Sequence, residues 1–538
     1  MPAGDSGKEY AGEVTTYVIV ACVVAASGGA LFGYDNGITG GVISMPGFLE
    51  QFFPEVTDSA STKAGGDPYC KYDSQVLEWF TSSLFIAGVH WGRKRTMLLA
   101  GILFDIGVVL TAGALNIYML MAGRVLLGVA VAFASVSVTL YNSEMAPAQL
   151  RGRLNQLFQV ILTLGVVLAQ IINIATGKYY PWGWRVSLGL AGLPAIVLTI
   201  GGIVLPDTPN SLVERGFEAE GRKQPRESEL SSTTAWRQVL ERIRGTTDVD
   251  EELEDIKAAC RESNKVTNPW AEILKRQNRP QLFAALTATF FQQWTGINTV
   301  IFYAPQLFIS LGTGQRAALL ATIVTGVVNH FATYVSLWAA DSFGRRLLFL
   351  EGGVQMLLAL VGIGGTLALA GSGSEEVAWI GENAAWIALF FMCFYICAYA
   401  WSWGPLPWLY AAEVQFLETR SAGQSIATLI NLLFSFVIGQ ACPTYLSMLC
   451  LFKWGIFMFF AGMVGIMTLT VFFFYPETKG LPIEETPHVF ADHWFWKRYA
   501  PPAPWSEEAK ESLDRPLLDG DRSGGDRRRS RRRSRGDS

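Results

Sequence analysis

Charge is what this sequence has least of. Only 16% of its 538 residues are charged, against roughly a quarter in an average soluble domain. Lys+Arg 42 nearly balances Asp+Glu 46, for a net charge of −4, so nothing argues for a nucleic acid partner. The four histidines form no cluster, and the seven cysteines have no zinc or redox spacing. The sequence therefore excludes a soluble multidomain enzyme and a disulfide-rich secreted scaffold, and it predicts no metal site, no cofactor and no enzyme activity.

Hydrophobic residues, by contrast, make up half of the chain and are gathered into long runs. A helix needs about 20 mostly apolar residues to cross a bilayer core. The N-terminus lacks the basic start and the cleavage site of a signal peptide, so the first run counts as a span. The twelve predicted spans are 14–34, 76–91, 96–115, 117–141, 154–175, 184–205, 281–311, 316–339, 347–371, 382–412, 421–445 and 453–475.

Basic residues are concentrated in alternate short loops, where they predict the cytoplasmic side and place both termini there. The long polar stretch between spans 6 and 7 has apolar positions at three-and-four spacing, which indicates short amphipathic helices on the same side. The predicted domains are an N-terminal segment 1–13, a six-helix bundle 14–205 with an extracellular lid loop 41–75, a cytoplasmic linker 206–280, a second six-helix bundle 281–475, and a cytoplasmic tail 476–538 that is disordered from about 505.

An internal repeat relates the two bundles. WGRKR at 91–95 recurs as FGRRL at 343–347, and PDTPNSLVERG at 206–216 recurs as PETKGLPIEE at 476–485. Glu144, which precedes two arginines, has its counterpart in Glu413. Such a repeat predicts two six-helix bundles related by an axis along the membrane normal, with a substrate site between them.

These motifs occur in a set with GYDNGITGGV, GRVLLG, QQWTGINTVIFYAP, WSWGPLPWL and PETKG. The whole set resembles the sugar porter family of the major facilitator superfamily. PYCKYD, LEGG, SMLC and HWFWK make the chain most similar to plant and green-algal monosaccharide/proton symporters. The resemblance implies the major facilitator fold and hexose/proton symport by alternating access, in a monomer of the plasma membrane.

Span 2 departs from the family pattern. It has about 17 residues before the first GRK motif, whereas the equivalent span 316–340 has about 25. At about 1.5 Å per residue such a helix reaches barely across the bilayer core. The short span and the basic tail leave a non-transporting sugar sensor open as an alternative to transport. A facilitative sugar or polyol carrier is a second alternative, and the carboxylate of Asp35 within span 1 argues against it.

A sugar site needs amide and hydroxyl groups that converge from several helices, because a neutral polyol must exchange its hydrogen bonds to water for others. The predicted spans contain several amides, and an unpaired amide there costs a few kcal/mol. By resemblance, Trp408 is a stacking residue, Gly404 loosens its helix, and Phe32 and Ser435 match family positions near the sugar. The predicted amide ligands are Gln159, Gln292, Gln293, Asn298, Asn329 and Asn431.

Asp35 lies in an otherwise apolar, glycine-rich span, and an ionisable residue at such a depth indicates a function. Arg124, near the start of span 4, is its predicted partner, and the resemblance implies the same pair. Burial favours a protonated carboxyl, and a nearby guanidinium favours the ionised form. A movable Arg124 would therefore switch the proton affinity of Asp35, which predicts a proton-coupling role for both residues.

Charged residues near the basic loops predict a cytoplasmic gate. Ion pairs within and between the bundles would hold the inside shut, whereas a topology signal alone would explain the basic residues but not Glu144 and Glu413. The resemblance also implies a disulfide between Cys70 and Cys450, which would tie the lid loop to the second bundle. The predicted gate residues are Arg93, Glu144, Arg151, Arg153, Asp341, Arg345, Arg346, Glu413 and Arg420.

Overall fold

The fold is all α-helical over the part of the chain that a computed structural model describes, where no strand occurs. This agrees with the predicted class, an all-α polytopic membrane protein. The described residues are 15–43, 45–53, 93–146, 151–208, 211, 237–250, 253–254, 269–300, 308, 315–372, 378–416, 418–449, 454–479 and 486–499.

Within the described residues, fifteen α-helices are numbered in chain order, and short helical segments such as 237–244 are given by residue number. A π-helical turn, Tyr399–Trp403, connects α12 to α13, and short 3-10 turns follow α15. The helices are α1 Thr16–Val42, α2 Pro46–Phe52, α3 Arg93–Ala112, α4 Ile117–Met145, α5 Arg151–Thr176, α6 Gly183–Gly189, α7 Gly192–Val204, α8 Pro269–Glu272, α9 Arg279–Trp294, α10 Gln315–Phe343, α11 Arg345–Ser372, α12 Ala378–Ala398, α13 Leu406–Glu413, α14 Arg420–Leu449 and α15 Gly455–Phe474.

Ten of the twelve predicted spans have a helical counterpart long and apolar enough to cross a membrane. Predicted span 2, at 76–91, lies outside the described residues. Predicted span 7, at 281–311, corresponds to α9, which ends after 16 residues; the chain is helical again at 297–300, and most of the remainder is not described.

Two hydrophobic cores organise the helices. One consists of buried residues between Val18 and Ile243 together with Leu432, and the other of buried residues between Ala284 and Trp496. Helix α1 packs on α5 and α3 on α4 in the first core, while α11 packs on α12 and α15 in the second. The two cores meet where α5 contacts α10 and where α4 contacts α14. The domain boundaries themselves stay predictions.

The polar linker contains a described helical segment at 237–244. Its Leu240 and Ile243 are buried, and the hydroxyl of Thr15 donates a hydrogen bond of 2.9 Å to the carbonyl of Ile243. The guanidinium of Arg242 lies 4.6 Å from the centre of the Tyr17 ring. This segment therefore packs against the beginning of α1.

The predicted lid loop begins later than residue 41. Helix α1 continues to Val42. In α2, Phe48 and Phe52 pack against Trp184 at ring distances of 5.5 and 5.4 Å. Packing of these aromatic rings supports a helix within the predicted loop 41–75. The rest of the loop, with Cys70, lies outside the described residues.

Helices α1 and α5 approach closely enough to require glycine. A Cβ atom at Gly33 would overlap the backbone carbonyl of Leu162, so only a residue without a side chain fits. Small residues at such crossings let membrane helices pack backbone to backbone, where dispersion and not the hydrophobic effect holds them together.

We therefore expect Gly33→Ala to destabilise the protein by about 1–3 kcal/mol, because the added methyl group must push α5 away from α1. Gly365→Ala is the matched control, since a Cβ at Gly365 would meet nothing within 4 Å and alanine favours a helix. Thermal unfolding of both purified variants in one detergent checks this. Equal melting temperatures for the two variants would contradict the close contact.

Candidate functional site

A buried ion pair joins α1 to α4. Arg124 donates from Nη1 to Asp35 Oδ1 at 2.8 Å, and both side chains are 1% exposed. The same nitrogen lies 3.1 Å from the hydroxyl of Thr39, which in turn donates to the backbone carbonyl of Asp35. Within the described residues, Asp35 Oδ2 has no hydrogen-bond partner. The pair predicted from the sequence is therefore in contact, and one carboxylate oxygen remains available to take a proton.

A break in the helix of span 10 creates a binding position for Gln292. Gly404 donates from its backbone to the carbonyl of Tyr399, five residues earlier, which closes the π-helical turn. Pro407 has no N–H and so cannot donate to the carbonyl of Trp403, four residues before it. The side chain of Gln292 supplies the missing donor, with 3.0 Å to the Trp403 oxygen and 2.7 Å to the Gly404 oxygen.

Four amides of the second core form two hydrogen-bonded pairs. Asn431 on α14 donates to the side-chain oxygen of Gln292 at 2.7 Å, which links α14 to α9. Asn298 donates to Gln293 at 2.7 Å. Between Gln293 and Asn298, Gly296 has φ +85°, a left-handed conformation that suits glycine and turns the chain between the end of α9 and the helical residues 297–300. Gln292 and Asn431 are buried, and Asn298 is half-buried.

A small pocket lies between the two cores and brings Gln159 and Trp408 together. Asn155 and Gln156 on α5 also line it, and their side-chain oxygens are buried without a hydrogen-bond partner among the described residues. Gly404 is close, because a Cβ there would lie 3.4 Å from Gln159 Nε2. The pocket therefore offers unsatisfied acceptors beside an indole ring.

Sequence reasoning missed Asn155 and Gln156, although NQLFQ contains a visible signal. Asn155 and Gln156 precede Gln159 by four and three positions, and residues at these spacings share one face of a helix. A cluster of three amides on one face of a membrane helix is costly unless it faces a polar cavity.

The remaining predicted sugar ligands are buried but lie apart from the hydrogen-bonded amides of the second core. Asn329 is 6% exposed and Ser435 is 1% exposed, and within the described residues neither side chain bonds to the other predicted amides. Phe32 is 9% exposed on α1. A hydrogen bond also links the two cores: the Thr163 hydroxyl on α5 lies 3.1 Å from Nδ1 of His330 on α10. Sequence reasoning did not identify this pair.

Paired ionic networks lie at the end of the molecule where α3 and α11 begin, here called the basic end. Arg93 contacts Glu144 at 2.8 Å, and the Thr208 hydroxyl donates to the other carboxylate oxygen of Glu144. Tyr141 donates to the carbonyl of Pro206 at 3.2 Å. This network connects the C-terminal end of α4 to the PDTP segment at 206–209.

The second core repeats the arrangement. Arg345 contacts Glu413 at 2.9 Å, and the Thr478 hydroxyl donates to Glu413 at 3.2 Å. Tyr410 donates to the carbonyl of Pro476 at 3.2 Å. Glu477 adds a further contact, since its carboxylate accepts from the backbone of Arg345 at 2.9 Å and of Arg346 at 3.1 Å. The repeated motifs thus adopt equivalent geometries.

Other predicted gate residues are placed less completely. Arg153 is exposed and Arg420 is half-buried. The side chains of Arg151 and Asp341 lie outside the described set, as do Cys70 and Cys450, so the predicted disulfide stays a prediction. Sequence reasoning missed Thr208, Thr478 and Glu477, and the repeat of PDTP and PETK was the signal that could have found them.

Comparisons with known proteins agree with this architecture. The family model described as "Sugar (and other) transporter" matches residues 21–490. Sugar transport protein 10 of Arabidopsis thaliana is 48% identical over 513 residues, covering 93% of this chain and 95% of that protein. Sugar transport protein MST5 of Oryza sativa subsp. japonica is 47% identical and covers 92% and 94% respectively.

Among solved structures, the fold matches that of the major facilitator proton:xylose symporter XylE bound to 6-bromo-6-deoxy-D-glucose. The TM-score is 0.70 at 24% identity, over 88% of this chain and 99% of that one. An inward-open structure of XylE from E. coli matches with a TM-score of 0.64. The fold class and the family predicted from the motifs are therefore confirmed: the chain has the fold of XylE, a major facilitator protein, and it belongs to the sugar transporter family.

Proposed function

We propose that this protein takes up a hexose together with one proton by alternating access. The class itself, a sugar transporter and not an enzyme, is confirmed by the family to which the chain belongs. The observation that carries proton coupling is the Asp35–Arg124 pair. Burying a charge pair between two membrane helices costs free energy, and ionisable residues at such a depth indicate a function. The fold relative XylE is named as a proton symporter, which supports the same assignment.

The sugar would bind in the pocket between the cores. Asn155, Gln156 and Gln159 offer amide groups from α5, while the indole of Trp408 offers an apolar face from α13. Hydroxyl groups of a sugar are donors and acceptors, so they satisfy such amides, and the C–H face of the ring packs on an aromatic surface. Gln292 and Asn431 hold the broken helix beside Trp408 in position.

The basic end would face the cytoplasm, with both termini on that side. Basic residues near short loops favour the cytoplasmic side of a membrane, and Arg93, Lys94, Arg95, Arg345 and Arg346 all lie at this end. The Glu144 and Glu413 networks would then act as a cytoplasmic gate that must rearrange when the site opens inward. The membrane would be the plasma membrane and the protein a monomer, with the proton as the only co-transported ion and no cofactor.

In a host without its own hexose transport, we expect glucose uptake to be saturable and faster at external pH 5 than at pH 8. Added glucose should also make a weakly buffered medium more alkaline, because each transport cycle removes a proton from outside. Replacing sodium by the impermeant cation N-methyl-D-glucamine at constant pH is the control and should change nothing, because it leaves the membrane potential in place. Equal uptake at both pH values, with no alkalinisation, would instead support a facilitative carrier.

A further inference from the structure

The segment after α15 is attached directly to the end of that membrane helix. Trp494 donates from its indole to the carbonyl of Phe473 at 3.0 Å, and Trp496 donates to the carbonyl of Phe474 at 2.8 Å. The last carbonyls of a helix have no partner within the helix, so the two indoles cap α15. Residues 494–498 are therefore held at the level where the helix leaves the bilayer.

The segment before α9 joins the same surface. Arg276 donates to the carbonyl of Arg498 at 3.2 Å, and its guanidinium lies 5.4 Å from the centre of the Tyr499 ring. Phe283 in the first turns of α9 packs on Trp496 at a ring distance of 5.1 Å. Residues 270–279 and 494–498 thus form one continuous surface, here called the interfacial patch.

Large apolar side chains of the interfacial patch are exposed. Trp270 is 54% exposed, Leu274 is 62% exposed, and Trp494 is 67% exposed. Tryptophan is enriched where a protein meets the headgroup region, because its ring is amphipathic. The exposed rings are therefore in a suitable place to enter the headgroup layer of the adjacent leaflet.

The same surface is positively charged. Its acidic residue, Glu272, pairs with a lysine at 2.6 Å, and Asp492 is the other carboxylate close in sequence. Burial, together with the charge of Arg346, lowers the pKa of His493, which favours its neutral form. The exposed cations are Lys275, Arg276, Arg279, Lys497 and Arg498.

Four of these cations make no ion pair with a carboxylate among the described residues, Lys275 being the exception. Within the described stretches 269–279 and 486–499, five cations against two carboxylates leave a local excess of positive charge. Guanidinium groups bind phosphate in a two-pronged geometry, and cations beside a membrane are attracted to anionic lipids.

We propose that the interfacial patch binds an anionic phospholipid of the leaflet at the basic end. The headgroup phosphate would contact the guanidinium and ammonium groups, and the acyl chains would lie against Trp270, Leu274 and Trp494. The bound lipid would bridge the beginning of α9 and the end of α15. This site is separate from the sugar pocket and does not depend on proton coupling.

The test uses the full-length protein, purified in a neutral detergent and titrated with fluorescent phosphatidylserine or phosphatidylcholine of the same chain length. We expect phosphatidylserine to bind at least tenfold more tightly. In the triple variant Arg279→Gln, Lys497→Gln, Arg498→Gln, the preference for phosphatidylserine should fall at least fivefold. Trp270→Ser should weaken the binding of both lipids. Lys178→Gln, an exposed cation at the opposite end, is the matched control and should bind both lipids as the wild type does.

Three outcomes would overturn the proposal. Equal binding of the two lipids by the wild-type protein would remove the charge preference. An unchanged preference in the triple variant would assign the lipid to other cations, such as those of the arginine-rich tail, which all variants retain. Displacement of phosphatidylserine by soluble glycerophosphoserine at similar concentration would show a headgroup site without a membrane component. Glucose binding in the triple variant, expected to be unchanged, verifies that this variant is folded.

Discussion

Asp35→Asn is expected to abolish accumulation of sugar against a gradient while sugar exchange continues. Asparagine keeps the shape of the side chain but cannot take up a proton, so the cycle loses its coupling to the membrane potential. A potential of 100 mV supplies about 2.3 kcal/mol per proton, which is roughly a fiftyfold accumulation. The accumulation ratio of labelled glucose should therefore fall from that range to about one.

Asp105→Asn is the matched control for this experiment. Asp105 also lies within a membrane helix, α3, where it is half-buried and accepts a long hydrogen bond of 3.4 Å from Thr199, but it does not contact Arg124. Its replacement should leave accumulation intact. Because a buried arginine without its partner can cost about 3–5 kcal/mol, exchange of labelled sugar must be measured to verify that Asp35→Asn is folded. Accumulation by this variant would assign the proton to another residue.

Gln292→Ala is expected to weaken sugar uptake through its half-saturation constant. The substitution leaves the carbonyls of Trp403 and Gly404 without this donor, and the amide of Asn431 keeps only a 3.4 Å hydrogen bond to the Thr289 carbonyl. Each unsatisfied buried group costs about 1–3 kcal/mol. The broken helix that carries Trp408 would then lose its fixed position. We expect the half-saturation constant for glucose to rise at least tenfold, which corresponds to about 1.4 kcal/mol.

Gln355→Ala provides the comparison. Like Gln292, Gln355 donates from its side-chain amide to backbone, but to one carbonyl only, that of Phe394 at 3.0 Å. This contact joins α11 to α12 at the exposed side of the bundle. Its loss should leave the half-saturation constant unchanged. Concentration dependence of glucose uptake at fixed external pH measures both variants. A similar constant for Gln292→Ala and the wild type would remove Gln292 from the site.

Local features of the sequence were sufficient for the membrane class, the repeat and the ionisable residues of the spans. A run of about 20 apolar residues has few alternatives to a membrane helix, and a carboxylate such as Asp35 in one of them is conspicuous because its burial is costly. These inferences need no knowledge of distant contacts.

Contacts over long sequence separations required the tertiary structure. Nothing local indicates that Gln292 donates to carbonyls 111 and 112 residues away, or that Asn155 and Gln156 join Gln159 beside Trp408. The partners of Glu144 and Glu413 in the PDTP and PETK segments were equally hidden, although the repeat had placed them in equivalent positions.

The sequence by itself thus determined which groups are expensive to bury, and the tertiary structure decided which groups satisfy them. Burial cost depends on residue type and on the length of the surrounding apolar run, both of which are written in the chain. The identity of a hydrogen-bond partner depends on how helices cross and where they break, as Gly33 against Leu162 and the π-helical turn before Gly404 illustrate. Those crossings result from close packing of the whole bundle, to which residues far apart in sequence contribute together.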